Sequence, residues 1–303
     1  EANGANQAAV LHTADDELFP DLVRRTRDRI AYAAEDGVSW DIWTMTAPGY
    51  TPTPLTTQTP SNQIQPSWSH DALTLAYASN EVQPLSPTAW EIYTVTAAGT
   101  GATKLTTQSP SWAIAPSCSP VSDDILFVSG SKNSAGLAAE GGSAIWVWDA
   151  DALVHARLLQ DGPGRDGDAS PAIAGLQLSL GLPLDAGISR PVWSPDGTKI
   201  AYAAKVSLTG QIDIFVMNAD GSNAHTLEEY IHEELGVLTP DPDITTGDDE
   251  FCPYWLDDGS DEGAIVYAKA DGLDIQLYKV TLATGVITPL TEIGDNVSPA
   301  SKR

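Results

Sequence analysis

The chain has 303 residues, of which 41 are acidic and 15 basic, giving a formal net charge of −26 at pH 7. That charge repels phosphate backbones and anionic membrane surfaces, so nucleic acid is excluded as a natural partner, and basic proteins, divalent cations or neutral sugars fit better. No run of 18 or more apolar residues occurs, so the sequence contains no transmembrane helix.

A four-part phrase recurs along the chain. The first copy keeps Arg29-Ile30-Ala31-Tyr32-Ala33, Trp40-Asp41-Ile42-Trp43-Thr44-Met45 and Thr53-Pro54-Leu55-Thr56-Thr57 but lacks a clear opening Trp. The second runs Pro66-Ser67-Trp68-Ser69-His70-Asp71, Leu73 to Ala78, Trp90 to Val95 and Thr103 to Thr107. The third has Pro116-Ser117-Cys118-Ser119-Pro120, Ile125 to Val128, Ala144 to Trp148 and Ala156 to Leu159, with Cys118 in place of the Trp. The fourth is the most regular: Pro191-Val192-Trp193-Ser194-Pro195-Asp196-Gly197-Thr198-Lys199-Ile200-Ala201-Tyr202, then Asp213 to Gly221, then His225-Thr226-Leu227. The fifth comprises Pro253-Tyr254-Trp255-Leu256-Asp257-Asp258-Gly259, Ala264 to Ala268, Asp274 to Tyr278 and Ile287 to Thr291. Runs of four to six β-branched and aromatic residues bounded by Gly, Pro and Asp predict short strands, and Pro-Asp-Gly supplies tight-turn chemistry between them. Almost nothing has a helical period.

Four-stranded units repeated in this way predict an all-β β-propeller. Its opening phrase and the following Ile-Ala-Tyr and Asp-Ile-Phe-Val-Met strands resemble the TolB-type propeller repeat, over roughly residues 20 to 300. The resemblance implies a single propeller domain over 20–303, preceded by an extension at 1–19. Members more often have six or more blades, so five copies imply a small member or a blade outside the given chain. Five blades closed by pairing of the chain ends are expected, with Val297-Ser298-Pro299-Ala300-Ser301 as the inner strand of the first blade. Phe19-Pro20-Asp21-Leu22-Val23 is the rival for that place. Cys118 and Cys252 fall on non-neighbouring blades and read as buried free thiols. The polar start at Glu1 suggests a processed, exported protein, periplasmic or extracellular.

With strands lettered A to D outward from the axis, the A–B and C–D connections share one end of a propeller and the B–C and D–A connections the other. The long segments 79–90, 129–143, 160–188, 204–211 and 228–250 are all B–C or D–A, so that end is the candidate functional face. Segment 228–250 holds Glu228, Glu229, Glu233, Glu234, Asp241, Asp243, Asp248, Asp249 and Glu250 with no Lys or Arg. These nine, with Trp40 and Trp90 expected at the rim of the same face, are the candidate partner-binding residues. Asp161, Asp166 and Asp168, in a Gly-rich stretch, together with Asp241 and Asp243, are candidate calcium ligands, since hard cations take such oxygen sets. His-x-x-x-His, Cys-x-x-Cys, Gly-x-Ser-x-Gly and phosphate-cradling motifs are missing, so no catalytic residue is assigned. The expected function is therefore protein binding through an acidic face, as a subunit of a larger envelope or extracellular assembly. The alternatives are a carbohydrate-binding module using the rim aromatics and a metal-dependent hydrolase or lyase.

Overall fold

The computed structural model of the protein describes residues 17–22, 28–35, 37–57, 60–81, 90–107, 112–132, 138–157, 191–205, 212–237, 249–257, 263–271 and 274–291. They form five antiparallel four-stranded sheets arranged in a ring, a five-bladed propeller. Blade 1 is β1 (Glu17–Leu22), β2 (Arg29–Glu35), β3 (Trp40–Thr46) and β4 (Thr53–Pro54); blade 2 is β5 (Gln63–Trp68), β6 (Thr74–Ser79), β7 (Glu91–Thr96) and β8 (Thr103–Lys104). Blade 3 is β9 (Trp112–Cys118), β10 (Ile125–Lys132), β11 (Ala138–Asp149) and β12 (Val154–Arg157). Blade 4 is β13 (Val192–Trp193), β14 (Lys199–Lys205), β15 (Ile212–Asn218) and β16 (His225–Thr226), and blade 5 is β17 (Asp249–Leu256), β18 (Ala264–Asp271), β19 (Asp274–Thr281) and β20 (Val286–Pro289). Each sheet runs in chain order, with β5 and β9 buried along their whole length and the last strands β4 and β8 exposed, so strand A lies at the axis and strand D at the periphery.

The repeat places an aromatic pair at one register position of strands B and C in every blade: Tyr32 opposite Trp43, Tyr77 opposite Tyr93, Phe127 opposite Trp146, Tyr202 opposite Phe215 and Tyr267 opposite Tyr278. In blades 2 to 5 the rings stack with centroids 5.5–6.4 Å apart. Offset stacks of this kind add about 0.5–1.5 kcal/mol beyond the area they bury. Blades then pack face to face: the Ala31, Ala33 and Ile42 side of blade 1 meets Leu75 and Tyr77 of blade 2, and Ala201, Ala203 and Ile214 of blade 4 meet Trp255, Ile265 and Tyr267 of blade 5.

The inner strands share an unforeseen device. β5, β9 and β17 each carry a bulge in which the residue before proline, Gln65, Ala115 or Cys252, takes a left-handed φ of 52–56°. Such backbone is uncommon away from glycine and persists only where neighbours fix it. Here the neighbouring blade does so, because Ala115 N–H donates to Gln65 Oε1 (2.8 Å) and Cys118 N–H to Ser67 Oγ (3.1 Å). Trp68 N–H likewise donates to Asp21 Oδ2 (2.7 Å), and Trp193 Nε1 donates to the Ser117 carbonyl (3.1 Å). Each of these bonds stitches one inner strand to the next across a seam.

This device identifies the inner strand of blade 1. Its register slips between Leu18 and Asp21, placing Phe19-Pro20 where the other blades have Gln65-Pro66 and Ala115-Pro116, and β1 pairs with β2 throughout. The inner place expected for Val297–Ser301 is thus filled by β1 (Glu17–Leu22), which takes in Phe19 to Leu22 of the rival segment Phe19–Val23 and carries the bulge proline and the Asp21 bond to blade 2. Residues 297–301 lie outside the described residues. Neither cysteine is bridged; Cys118 is buried, while Cys252 is exposed, against the expectation that both are buried.

Candidate functional site

At the end bearing the B–C and D–A connections, strand C is locked to strand D by one threonine. Thr56 Oγ1 accepts from Ile42 N–H (2.8 Å) and donates to the buried Asp41 carboxylate (3.1 Å); Thr106 Oγ1 accepts from Ile92 N–H (2.8 Å) and donates to buried Glu91. In blade 5, Thr291 Oγ1 accepts from Leu277 N–H (2.9 Å). These are the threonines of the recurring Leu-Thr phrase, so the signal was present in the sequence as a repeated residue without an assigned role. A buried carboxylate without such a donor would be strongly disfavoured.

Between blades 1 and 2 the same end holds a polar nest. Trp40 N–H donates to Asn62 Oδ1 (3.0 Å), Asn62 N–H to Asn80 Oδ1 (2.7 Å), and Gln63 Nε2 to Ser61 Oγ (2.8 Å). Below it, Tyr93 is pushed up to about 12 by burial, by the charges of Glu81 and Glu91 and by its hydrogen bond to Glu81, and Tyr77 is raised further, chiefly by burial. Both phenols are neutral at any ordinary pH, so neither is suited to act as a general base.

The predicted site residues part company in the structure. Trp40 is half-buried, whereas Trp90 is fully buried against Trp112 and Ile114 in the blade 1–3 core, so it cannot stack on a ligand. Its position before strand C is reached by the next blade, whose Ala113 N–H donates to the Trp90 carbonyl (2.8 Å). Glu228 and Glu229 lie in a short helix, α1 (Leu227–Glu229), continued by a π turn (Tyr230–Glu234). A capping box starts it: Glu229 N–H donates to Thr226 Oγ1 (3.2 Å) and Thr226 N–H to Glu229 Oε2 (3.0 Å). Tyr230 and Ile231 are buried, Tyr230 edge-on to Trp255, and the turn folds back along blade 4. Asn223 of the C–D connection donates to Glu234 Oε1 (2.7 Å), and His225 lies 3.9 Å from Glu233 and 3.7 Å from Glu234. Glu233 and Glu234 therefore stand beside the short-turn end and not on the insertion face. Glu250 is buried within β17, and the side chain of Asp249, also in β17, is outside the described residues, as are Asp161, Asp166, Asp168, Asp241, Asp243 and Asp248. Segment 129–143, expected as a loop, is largely hairpin, since β10 reaches Lys132 and β11 begins at Ala138.

The short-turn end is built by aspartates. In blade 4, Ser194 Oγ donates to Asp196 Oδ1 (2.6 Å), as do Thr198 N–H (3.0 Å) and Thr198 Oγ1 (2.9 Å). Partial burial pushes the Asp196 carboxyl up, but these donors outweigh it and hold it below the usual carboxylate range. Asp71, with Ser69 and Leu73 N–H as donors, and Asp220, with Ser222, are lowered in the same way. The A–B turns also touch across seams: His70 Nε2 lies 3.2 Å from Asp123, and the Val121 side chain rests on Gly197, where an added Cβ would come within 2.5 Å of it.

Among the described residues no group of three or more His, Cys, Asp or Glu is placed to hold a metal ion, and no helix is long and apolar enough to cross a membrane. No protein-family model and no curated protein matches the chain. Solved structures do. TolB from Acinetobacter baumannii superposes with a TM-score of 0.62 at 18% identity, over 94% of this chain and 57% of that one. The fold is that of a TolB-type propeller. A TolB-designated protein from Agrobacterium tumefaciens gives 0.60 at 17% identity over 93% of this chain and 83% of that one. An oligogalacturonate lyase in complex with manganese gives 0.54 at 13% identity over 89% and 64%. At these identities the likeness concerns the fold alone, and this chain spans little more than half the length of the A. baumannii protein.

Proposed function

We propose that this chain is a non-catalytic propeller that binds a protein partner, basic in character, through the acidic insertions at its B–C and D–A end. In this reading it is an exported subunit of a larger periplasmic or extracellular assembly. The observation that carries the proposal is the asymmetry of the scaffold. At one end the described connections are short and fixed by Asp and Ser bonds, as in 69–73, 194–198 and 219–224, while the chain from Arg157 to Val192 and from Thr226 to Asp249 leaves and returns at the other. Those two connections contain Asp161, Asp166, Asp168, Asp241, Asp243 and Asp248, and long variable segments on a rigid frame are where binding concentrates.

Substituting Asp241, Asp243, Asp248 and Asp249 by Asn tests the reading. Association with the partner should slow, with the largest difference at low salt, because charge steering acts on encounter and is screened beyond about 8 Å at physiological ionic strength. Unchanged association would remove these insertions from the interface. Calcium is a second proposed occupant of these insertions, at Asp161, Asp166, Asp168, Asp241 and Asp243, and a fall in melting temperature on chelation, reversed by calcium, is its sign.

A further inference from the structure

The opposite end carries a second surface. In the most regular turn, blade 4 uses Asp196 to hold Ser194 and Thr198, and Thr198 in turn gives its hydroxyl to Asp196 (2.9 and 2.8 Å). Aligned on that turn, blade 2 has Leu73 where blade 4 has Thr198, and blade 3 has Val121 where blade 4 has Asp196. Turn formation does not require either apolar side chain, since Asp71 already accepts from Leu73 N–H (2.9 Å) and Ser119 Oγ from Val121 N–H (3.3 Å). Yet Leu73 is 66% exposed and Val121 59%. The two turns are joined by His70 and Asp123, Val121 is seated on Gly197 of the next blade, and Leu153 of the blade 3 C–D turn is 69% exposed at the same end.

We infer that this aliphatic collar is a docking surface for a basic peptide segment with aliphatic side chains, contributed by a protein partner. Charge selects the occupant. The described A–B and C–D connections of blades 2, 3 and 4 contain Asp71, Asp123, Asp124, Asp151, Asp196 and Asp220 and no Lys or Arg. A segment with Leu or Val at its centre and Lys or Arg beside them complements both features, and an acidic or neutral segment complements only one. Because the turns are pinned by backbone hydrogen bonds, Leu73 and Val121 are presented with little ordering left to lose on binding. This surface is distinct from the insertion end and does not depend on it.

The test is titration of the full chain with a 12-residue peptide of alternating Leu and Lys, against a Ser/Lys peptide of equal charge. The Leu/Lys peptide should bind at least about tenfold more tightly, and Leu73→Ser with Val121→Ser should remove about tenfold in affinity, as loss of an interface anchor does. The variant bearing Asn at 241, 243, 248 and 249 should keep wild-type affinity, which separates this surface from the insertion end. Equal binding of the two peptides, or wild-type binding by the collar variant, overturns the inference. Should the collar variant melt earlier than the wild type, Asp123→Asn with Asp151→Asn replaces it, since both residues are exposed; that pair must lower affinity for the Leu/Lys peptide at low salt, and no change counts against the collar.

Discussion

Trp193 closes the seam between blades 3 and 4, buried and donating its indole N–H to Ser117. Trp193→Ala should cost roughly 3–5 kcal/mol in denaturant unfolding, and a loss under about 1 kcal/mol would show that the ring is not packed as described. Thr106 has a smaller but more local role: Thr106→Val strips a donor from buried Glu91 and an acceptor from Ile92 N–H, with an expected cost of about 1–3 kcal/mol. Asp196 gives a pH signature. Its folded pKa is depressed, so its charge contributes stability above the unfolded value of about 3.9 and loses it as pH falls through the folded value. Asp196→Asn should therefore be less stable than wild type at neutral pH, and the gap should close below about pH 4; a constant gap would mean the charge contributes nothing. At this scale the inner tryptophans were legible, because Trp68, Trp193 and Trp255 recur at one place in the phrase and are all buried. Trp90 was misplaced at the rim because its burial is decided by blade 3, distant in sequence, and a single repeat does not show what its neighbour covers.

Strand positions and blade count were legible from the repeated β-branched and aromatic runs and the turn residues that bound them, since each copy states its own hairpins. The first inner strand was harder, for want of a Trp at Leu22. The Phe19-Pro20 pair carried the signal, because β5, β9 and β17 each have proline directly after a left-handed residue, and the physical reason for that became visible only with the bulges. Asp21→Ala removes the bond to Trp68 N–H and should cost about 1.5–3 kcal/mol, the range for a hydrogen bond to a charged group; no loss would detach β1 from the seam. The short helix after β16 was missed for a different reason. Three helical residues have no periodicity, although Thr226-Leu227-Glu228-Glu229 spells a capping box. Thr226→Ala should cost about 1 kcal/mol, and exchange protection at Tyr230 and Ile231 should fall with it if the cap is what starts the turn.

For the whole molecule, a ring of blades makes one end a set of short pinned turns and sends the long D–A connections out from the other. The sequence revealed this division through connection lengths alone. It could not show that Glu233 and Glu234 fold back beside Asn223, because that path is set by Tyr230 and Ile231 finding the cleft beside Trp255. Glu233 and Glu234, expected on the insertion face, thus stand beside the short-turn end, and each end carries its own binding proposal. The most direct measurement of the central claim is capture from an envelope extract of the source cell on the immobilised full chain, run in parallel with the variant carrying Asn at 241, 243, 248 and 249, each at low and at high salt. A basic protein retained by the wild type at low salt, released at high salt and poorly held by the variant is the expected result. Identical retention by both chains, or retention of nothing, would contradict binding through the acidic insertions.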